Sequence, residues 1–246
     1  MTGALDFTRS PWSDVAAALE RGVLAVLAIG ACEQHGHHLP LSTDTDLAQG
    51  VARRTADALS ALLLPPLAYG DAWNNEAFPG TLSVSPDTLR AMLTDIGGGV
   101  QRMGARGLVI INGHFGNREP IALAARALVA AGLPVIYLDY PRLEALAAAI
   151  CDSAPAGPGF FHADEVETAM MLALRPEAVD LSRAVAEYPA FPPTFGVEPM
   201  QLRTFNASGV FGDPRPATAG KGEALLEGIV AENLVLIAGW RERHGI

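Results

Sequence analysis

The sequence is short of several things, and each shortage narrows its class. It has two cysteines, Cys32 and Cys151, far apart in the chain. That excludes a disulfide scaffold and suggests a reducing cytoplasm. Cys32 adjoins Glu33 but reads as a small packed thiol rather than a ligand or nucleophile. No apolar run approaches the roughly 18 residues a membrane span needs. The first ten residues carry neither a basic segment nor an apolar one, so no secretory signal is expected. Basic residues are also scarce: 17 Lys and Arg stand against 27 Asp and Glu, a formal charge of −10. Nucleic acid and anionic membranes are therefore unfavourable partners. No internal repeat, low-complexity tail or linker divides the chain, and residues 1–246 are expected to form a single domain.

Apolar residues, by contrast, make up 50% of the chain, with a mean hydropathy of +0.23. This supports a substantial core and argues against disorder. Buried-strand runs at residues 23–29, 62–64, 107–111 and 134–138 alternate with helical stretches at 13–21, 46–61, 85–104, 118–131 and up to 150. Ser13 and Ser85 are read as N-caps and Gly132 as a C-terminal cap. The glycines at 97–99 imply close packing or a kink. Further helices are expected from about 162 to 174 and from 218 to 243. Alternation of this kind predicts an α/β fold, a three-layer sandwich with a mainly parallel central sheet.

The chemistry concentrates after the strands. Residues 33–46 hold three of the six histidines and three carboxylates, on a loop directly after a buried strand. In parallel sheets such loops converge on one edge. Three clusters meet this condition: Glu33, His35, Asp44 and Asp46; then His114; then His162 with Glu165 and Glu167. Together they supply the five or six N/O ligands and the bridging carboxylate of a two-metal hydrolase. Each has a plainer alternative. Asp164, Glu165 and Glu167 suit the first turn of a helix, and His114, Asn112 and Asn117 suit turns. The irregular stretch 68–83 contains Trp73, Asn74, Asn75, Glu76, Phe78 and Thr81, which are candidates to line a pocket, as are Phe115 and Asn117.

The runs Glu33-Gln34-His35-Gly36-x-His38-Leu39-Pro40-Leu41-x-Thr43-Asp44, Phe78-Pro79-Gly80-Thr81, Asn112-Gly113-His114-x-Gly116-Asn117, His162-Ala163-x-Glu165-x-Glu167-Thr168 and Gly212-Asp213-Pro214 resemble the signature of the creatininase (creatinine amidohydrolase) family, in family order across nearly the whole chain. The resemblance implies a single α/β/α domain, often assembled as a hexamer, and two divalent metal ions per chain: zinc, manganese or iron. By matched position it implies Glu33, His35 and His114 as metal ligands and Asp44 as the bridge. Creatininase itself carries a further acid where this chain has Gly116, so the likeness is to the broader branch of the family and does not imply creatinine as substrate. Glu167 is expected to supply the missing acid, with Glu165 as its rival. His162 is expected to act as general acid/base, or else to orient Glu167. The activity implied is amidohydrolysis of a C–N bond in a small molecule. The alternatives are hydrolysis of a C–C or C–O bond in a sugar-derived ketone, and a metal-stabilised binding module.

Overall fold

The computed structural model describes residues 3–246. Five parallel strands form the sheet: β1 (Leu5–Asp6), β2 (Ala25–Ile29), β3 (Leu62–Leu63), β4 (Leu108–Asn112) and β5 (Val135–Leu138), in the order β1-β3-β2-β4-β5. The two longest, β2 and β4, lie side by side at the centre, with Ala25 opposite Leu108 and Ile29 opposite Asn112. Every residue of both is buried. That is the expected reading of a strand covered on both faces.

Alternate residues of these strands feed two cores. Val26, Ala28, Val109 and Ile111 pack under α2 (Thr43–Leu59), α6 (Glu165–Leu174) and α7 (Ala219–His244), with α5 (Leu143–Ile150) at the side. Ala25, Leu27, Ile29, Leu108 and Ile110 pack on the other face under α1 (Trp12–Glu20), α3 (Pro86–Met103) and α4 (Arg118–Ala130). Helices thus cover both faces, and the α/β sandwich has the layers the alternation predicts. Among the described residues no helix is long and apolar enough to cross a membrane.

The boundaries differ from the sequence reading in instructive places. Ser13 is not an N-cap: Pro11 occupies that position, two residues earlier, and α1 begins at Trp12. The edge strand β1 was not expected, because two residues carry no periodicity. Helix α2 starts at Thr43, so Asp44 sits in its first turn rather than on the preceding loop. Helix α3 runs straight through its three glycines. Gly97 is a packing site, where a Cβ would lie 2.3 Å from the Leu128 side chain of α4. Close approach also joins α6 to α7, since a Cβ on Gly222 would lie 1.8 Å from the Ala169 carbonyl oxygen.

Two glycine substitutions separate close packing from mere helix dilution. Gly222→Ala should cost about 1–3 kcal/mol by forcing α6 and α7 apart. Gly99→Ala meets nothing nearer than an Arg102 nitrogen at 3.8 Å and should gain about 0.4–1 kcal/mol. Urea midpoints with unchanged slopes check both.

Candidate active site

The carboxyl ends of β2 and β4 open onto one edge of the sheet, and the candidate residues meet there. Two glycines bring the first turn of α2 down onto those strand ends. A Cβ on Gly30 would lie 2.3 Å from the Thr45 nitrogen, and one on Gly113 2.5 Å from the Asp44 carbonyl oxygen. Glu33 and His35 stand on the loop after β2, and His114 follows β4. His162 is fixed across from Phe211 by the bond from the Phe211 N–H to its carbonyl, 3.0 Å. Ala163 adopts a left-handed conformation (φ 51°), and its N–H donates to Glu167 Oε2 at 2.6 Å. Asp164 caps α6 by accepting from the N–H groups of Val166 and Glu167.

Asp44 is the hub. Its Oδ1 lies 3.0 Å from His35 Nε2 and its Oδ2 3.0 Å from His114 Nδ1. Oδ2 nevertheless has no aligned hydrogen bond. Glu33 Oε1 stands 3.3 Å from His114 Nδ1 and 3.6 Å from His162 Nδ1. Glu167 Oε2 stands 3.6 Å from His35 Nε2. Glu33, Asp44, His35, His162 and Glu167 are all buried.

The far nitrogens of two rings are committed elsewhere. His35 Nδ1 faces the Glu33 carbonyl oxygen at 3.1 Å, and His114 Nε2 faces the Asp71 carbonyl oxygen at 2.8 Å. A carbonyl only accepts, so each of these nitrogens carries its proton there. In the neutral rings the bare nitrogens then point at Asp44, lone pair against carboxylate. Such an arrangement asks for a cation between them, a proton or a metal. Burial pulls His35 down, but Asp44 and Glu167 outweigh it and push its pKa up to about 10. His114 is held well above the ordinary imidazole value by Glu33 and Asp44, against its burial. Burial pushes Glu167 up to about 8, with His35 opposing. Burial, reinforced by His35, lowers His162 to about 3.

Three triads place one ligand atom each within 4.8 Å of one another: Glu33, Asp44 and His114; His35, Asp44 and Glu167; and Glu33, His35 and His162. Asp44 belongs to the first two. Mixed imidazole and carboxylate donors, with outer nitrogens held by backbone carbonyls, are the chemistry of a first-row divalent site. The residues present fit such ions.

The other acids are accounted for. Glu165 turns away from the cluster. It accepts from the N–H groups of Asp152 and Ser153 and forms an ion pair with Lys221 of α7. Asp46 pairs with Arg175 at 3.0 Å on the surface. Gly116 leaves no room for an acid, because a Cβ there would lie 2.0 Å from the Asp71 carbonyl oxygen, the atom that orients His114.

A cavity of about 160 Å3 opens beside the cluster, walled by Phe115, Phe160, Phe161, Phe195 and Leu202 with Asn74 at its side. Several expected substrate contacts are not free to serve. Asn117 is fully buried, donates to the Gly30 carbonyl and accepts from the Asp71 N–H. Thr81 Oγ1 accepts from the Gln34 N–H at 3.1 Å. Phe78 packs beneath the Arg203 guanidinium, 5.4 Å from its ring centre. Trp73 is 40% exposed and lies outside the cavity lining. Asn75 borders the cavity, but its amide donates to Glu33 Oε2 at 2.8 Å. Phe115 does line it, 66% exposed, with the Arg118 guanidinium 4.1 Å from the ring centre.

Phe160, Phe195 and Gln34 were missed. Six of the nine phenylalanines fall between 160 and 211. That density was the available signal, because Phe160, Phe191, Phe195, Phe205 and Phe211 form one edge-to-face cluster against the site.

Glu165→Gln should leave Lys221 without its buried partner and lower stability by about 1–3 kcal/mol. Thermal unfolding of the variant checks this. An unchanged midpoint would show that the clasp between α6 and α7 contributes nothing.

The sequence profile of the family described as creatinine amidohydrolase matches residues 8–237. The chain is 34% identical over 232 residues to the creatinine amidohydrolase of Pseudomonas putida, covering 88% of this chain and 89% of that one. It is 34% identical over 228 residues to the mycofactocin precursor peptide peptidase of Mycobacterium ulcerans (strain Agy99), covering 87% and 84%. Among solved structures, a mutant creatininase of the Zn-Zn type superposes with a TM-score of 0.83 at 32% identity, covering 98% of both chains. A manganese creatininase superposes with a TM-score of 0.80 at 32% identity, covering 98% and 99%.

Proposed function

The chain belongs to the creatininase family, and on that premise we propose that it is a hydrolase dependent on two divalent metal ions, cleaving an amide or lactam-like C–N bond in a small molecule. The observation that carries the reading is Asp44, buried with each carboxylate oxygen 3.0 Å from an imidazole nitrogen. The two solved relatives named for zinc and for manganese support the choice of metals.

In this reading Glu33, Asp44 and His114 hold one ion, and His35, Asp44 and Glu167 hold the other. When bound, the pair supplies a water ionised near neutral pH and Lewis acidity toward a carbonyl oxygen. The chain's own groups do the rest. The phenylalanine wall keeps bulk water off one side and strengthens every charge interaction inside. His162 presents Nδ1 beside Glu33; kept neutral by burial, which lowers it to about 3, it is placed to donate a hydrogen bond to a departing nitrogen rather than to deliver a proton. Glu167 replaces the acid that Gly116 lacks, and this departure from creatininase leaves the substrate's identity open within the amide class. The size and aromatic lining of the cavity favour a small, uncharged or weakly polar molecule.

Protein purified without chelator should carry close to two first-row divalent ions per chain and release amine or ammonia from a panel of small amides and lactams. Elemental analysis finding no such metal, together with no gain in melting temperature on adding zinc or manganese, would sink the reading.

Asp44→Ala should empty both positions and reduce turnover by more than the roughly 10–100-fold typical of outer residues. Asp46→Ala removes a surface ion pair and should cost about 0–1 kcal/mol with metal retained. Equal metal loss in the two would show that the wrong aspartate has been placed at the centre.

A further inference from the structure

Gln34 lies in sequence between two proposed ligands, yet its side chain turns away from them toward His162. The hydrogen bonds around it fix its orientation without ambiguity. A carboxylate such as that of Glu33 accepts. Its Oε2 takes the bond from Asn75 Nδ2 at 2.8 Å. The Asn75 carbonyl oxygen therefore points the other way, to Gln34 Nε2 at 3.0 Å. Gln34 Oε1 accepts from the Gly36 N–H at 2.9 Å, and Gln34 Nε2 donates to the Gly209 carbonyl at 3.2 Å. The Gly36 N–H and the Gly209 carbonyl demand the same amide orientation, and the NH2 group shares its two hydrogens among three neighbours. The shortest contact of that NH2 group is His162 Nε2, at 2.7 Å.

An imidazole N–H in that place would set donor against donor. His162 Nε2 must be bare, and a neutral ring then carries its proton on Nδ1, the atom 3.6 Å from Glu33 Oε1. The bonds run from one oxygen of Glu33 through Asn75 and Gln34 to His162, whose Nδ1 stands 3.6 Å from the other oxygen, beyond hydrogen-bond distance.

This has a consequence for metal binding. A neutral imidazole that gives the Nδ1 lone pair to a metal must hold its proton on Nε2. Gln34 forbids that form. The triad of Glu33, His35 and His162 is as compact as the other two, but it is the one the amide disqualifies. We propose that Gln34 is a positioning residue: it locks His162 as the Nδ1–H form, keeps that ring out of metal coordination and presents an N–H donor to the cavity. The metal half of this statement rests on the function proposed above; the proton's position does not.

The test is long-range proton–nitrogen NMR on the full chain with 15N-labelled histidine, both chelator-treated and zinc-loaded, with His162→Gln to assign the signals. The expected result is a proton on His162 Nδ1 in both forms. In Gln34→Glu a carboxylate replaces the donor, so the proton should move to Nε2, and on zinc loading the Nδ1 signal should take the shift of a coordinated nitrogen. A wild-type ring protonated on Nε2 or coordinated through Nδ1 overturns the proposal, even in a fully active enzyme. So does retention of the Nδ1–H form in Gln34→Glu. If that variant does not fold, the wild-type spectrum alone decides. A protein that binds no zinc but shows the Nδ1 proton removes the proposed function and the metal half of this inference, and leaves the lock standing.

Discussion

A carboxylate buried between two imidazole lone pairs is unfavourable unless positive charge joins it, and the architecture around Asp44 is organised to hold that conflict in place. The first turn of α2 can reach the strand ends only because Gly30 and Gly113 lack side chains. The backbone carbonyls of Glu33 and Asp71 capture the outer ring nitrogens, so neither imidazole can relieve the conflict by turning over. In the absence of a metal, protons take the cation's place, which is why His35 and His114 are pushed up together. The local arrangement spends stability, and two cores on either side of the central strands supply it.

Much of this was legible in the sequence, and the limits have physical causes. The layers followed from apolar runs alternating with helical segments, because β2 and β4 are buried on both faces and, but for Asn112 at the end of β4, wholly apolar. The cluster of Glu33, His35, Asp44, His114 and Glu167 was legible because each residue follows a strand or opens a helix. The preference for Glu167 over Glu165 followed from the family resemblance, and the structure shows the second acid spent on Lys221. The proposed substrate contacts were not legible. Asn75, Thr81 and Asn117 are each committed to a partner more than 40 residues away in sequence. Sequence shows a polar side chain but not whether its bonds are already taken. Gln34 escaped for the same reason, since its importance lies in contacts to residues 75, 162 and 209.

Charge and aromatic surface divide the work of the site. The acids and imidazoles come from loops on the sheet edge and from two helix starts. Apart from Phe115, the phenylalanine wall comes from the proline-rich segments after residue 156, where Phe160, Phe191, Phe195 and Phe211 contact one another edge to face. A polar half anchored at strand ends and helix starts therefore faces a half built largely on irregular backbone, where sequence change is tolerated more readily. Differences in substrate between relatives are most simply accommodated on the aromatic side.

Gly116 carries a steric corollary. The backbone at Asp71 occupies the space that any side chain at 116 would need, with its carbonyl oxygen 2.0 Å from the position of a Cβ. That same oxygen orients His114. Restoring an acid at 116 by a single mutation would displace the group that aims a neighbouring ring before the new acid could be of use. Any side chain at 116 would therefore require the backbone at 71 to move with it, a coupling set by sterics alone.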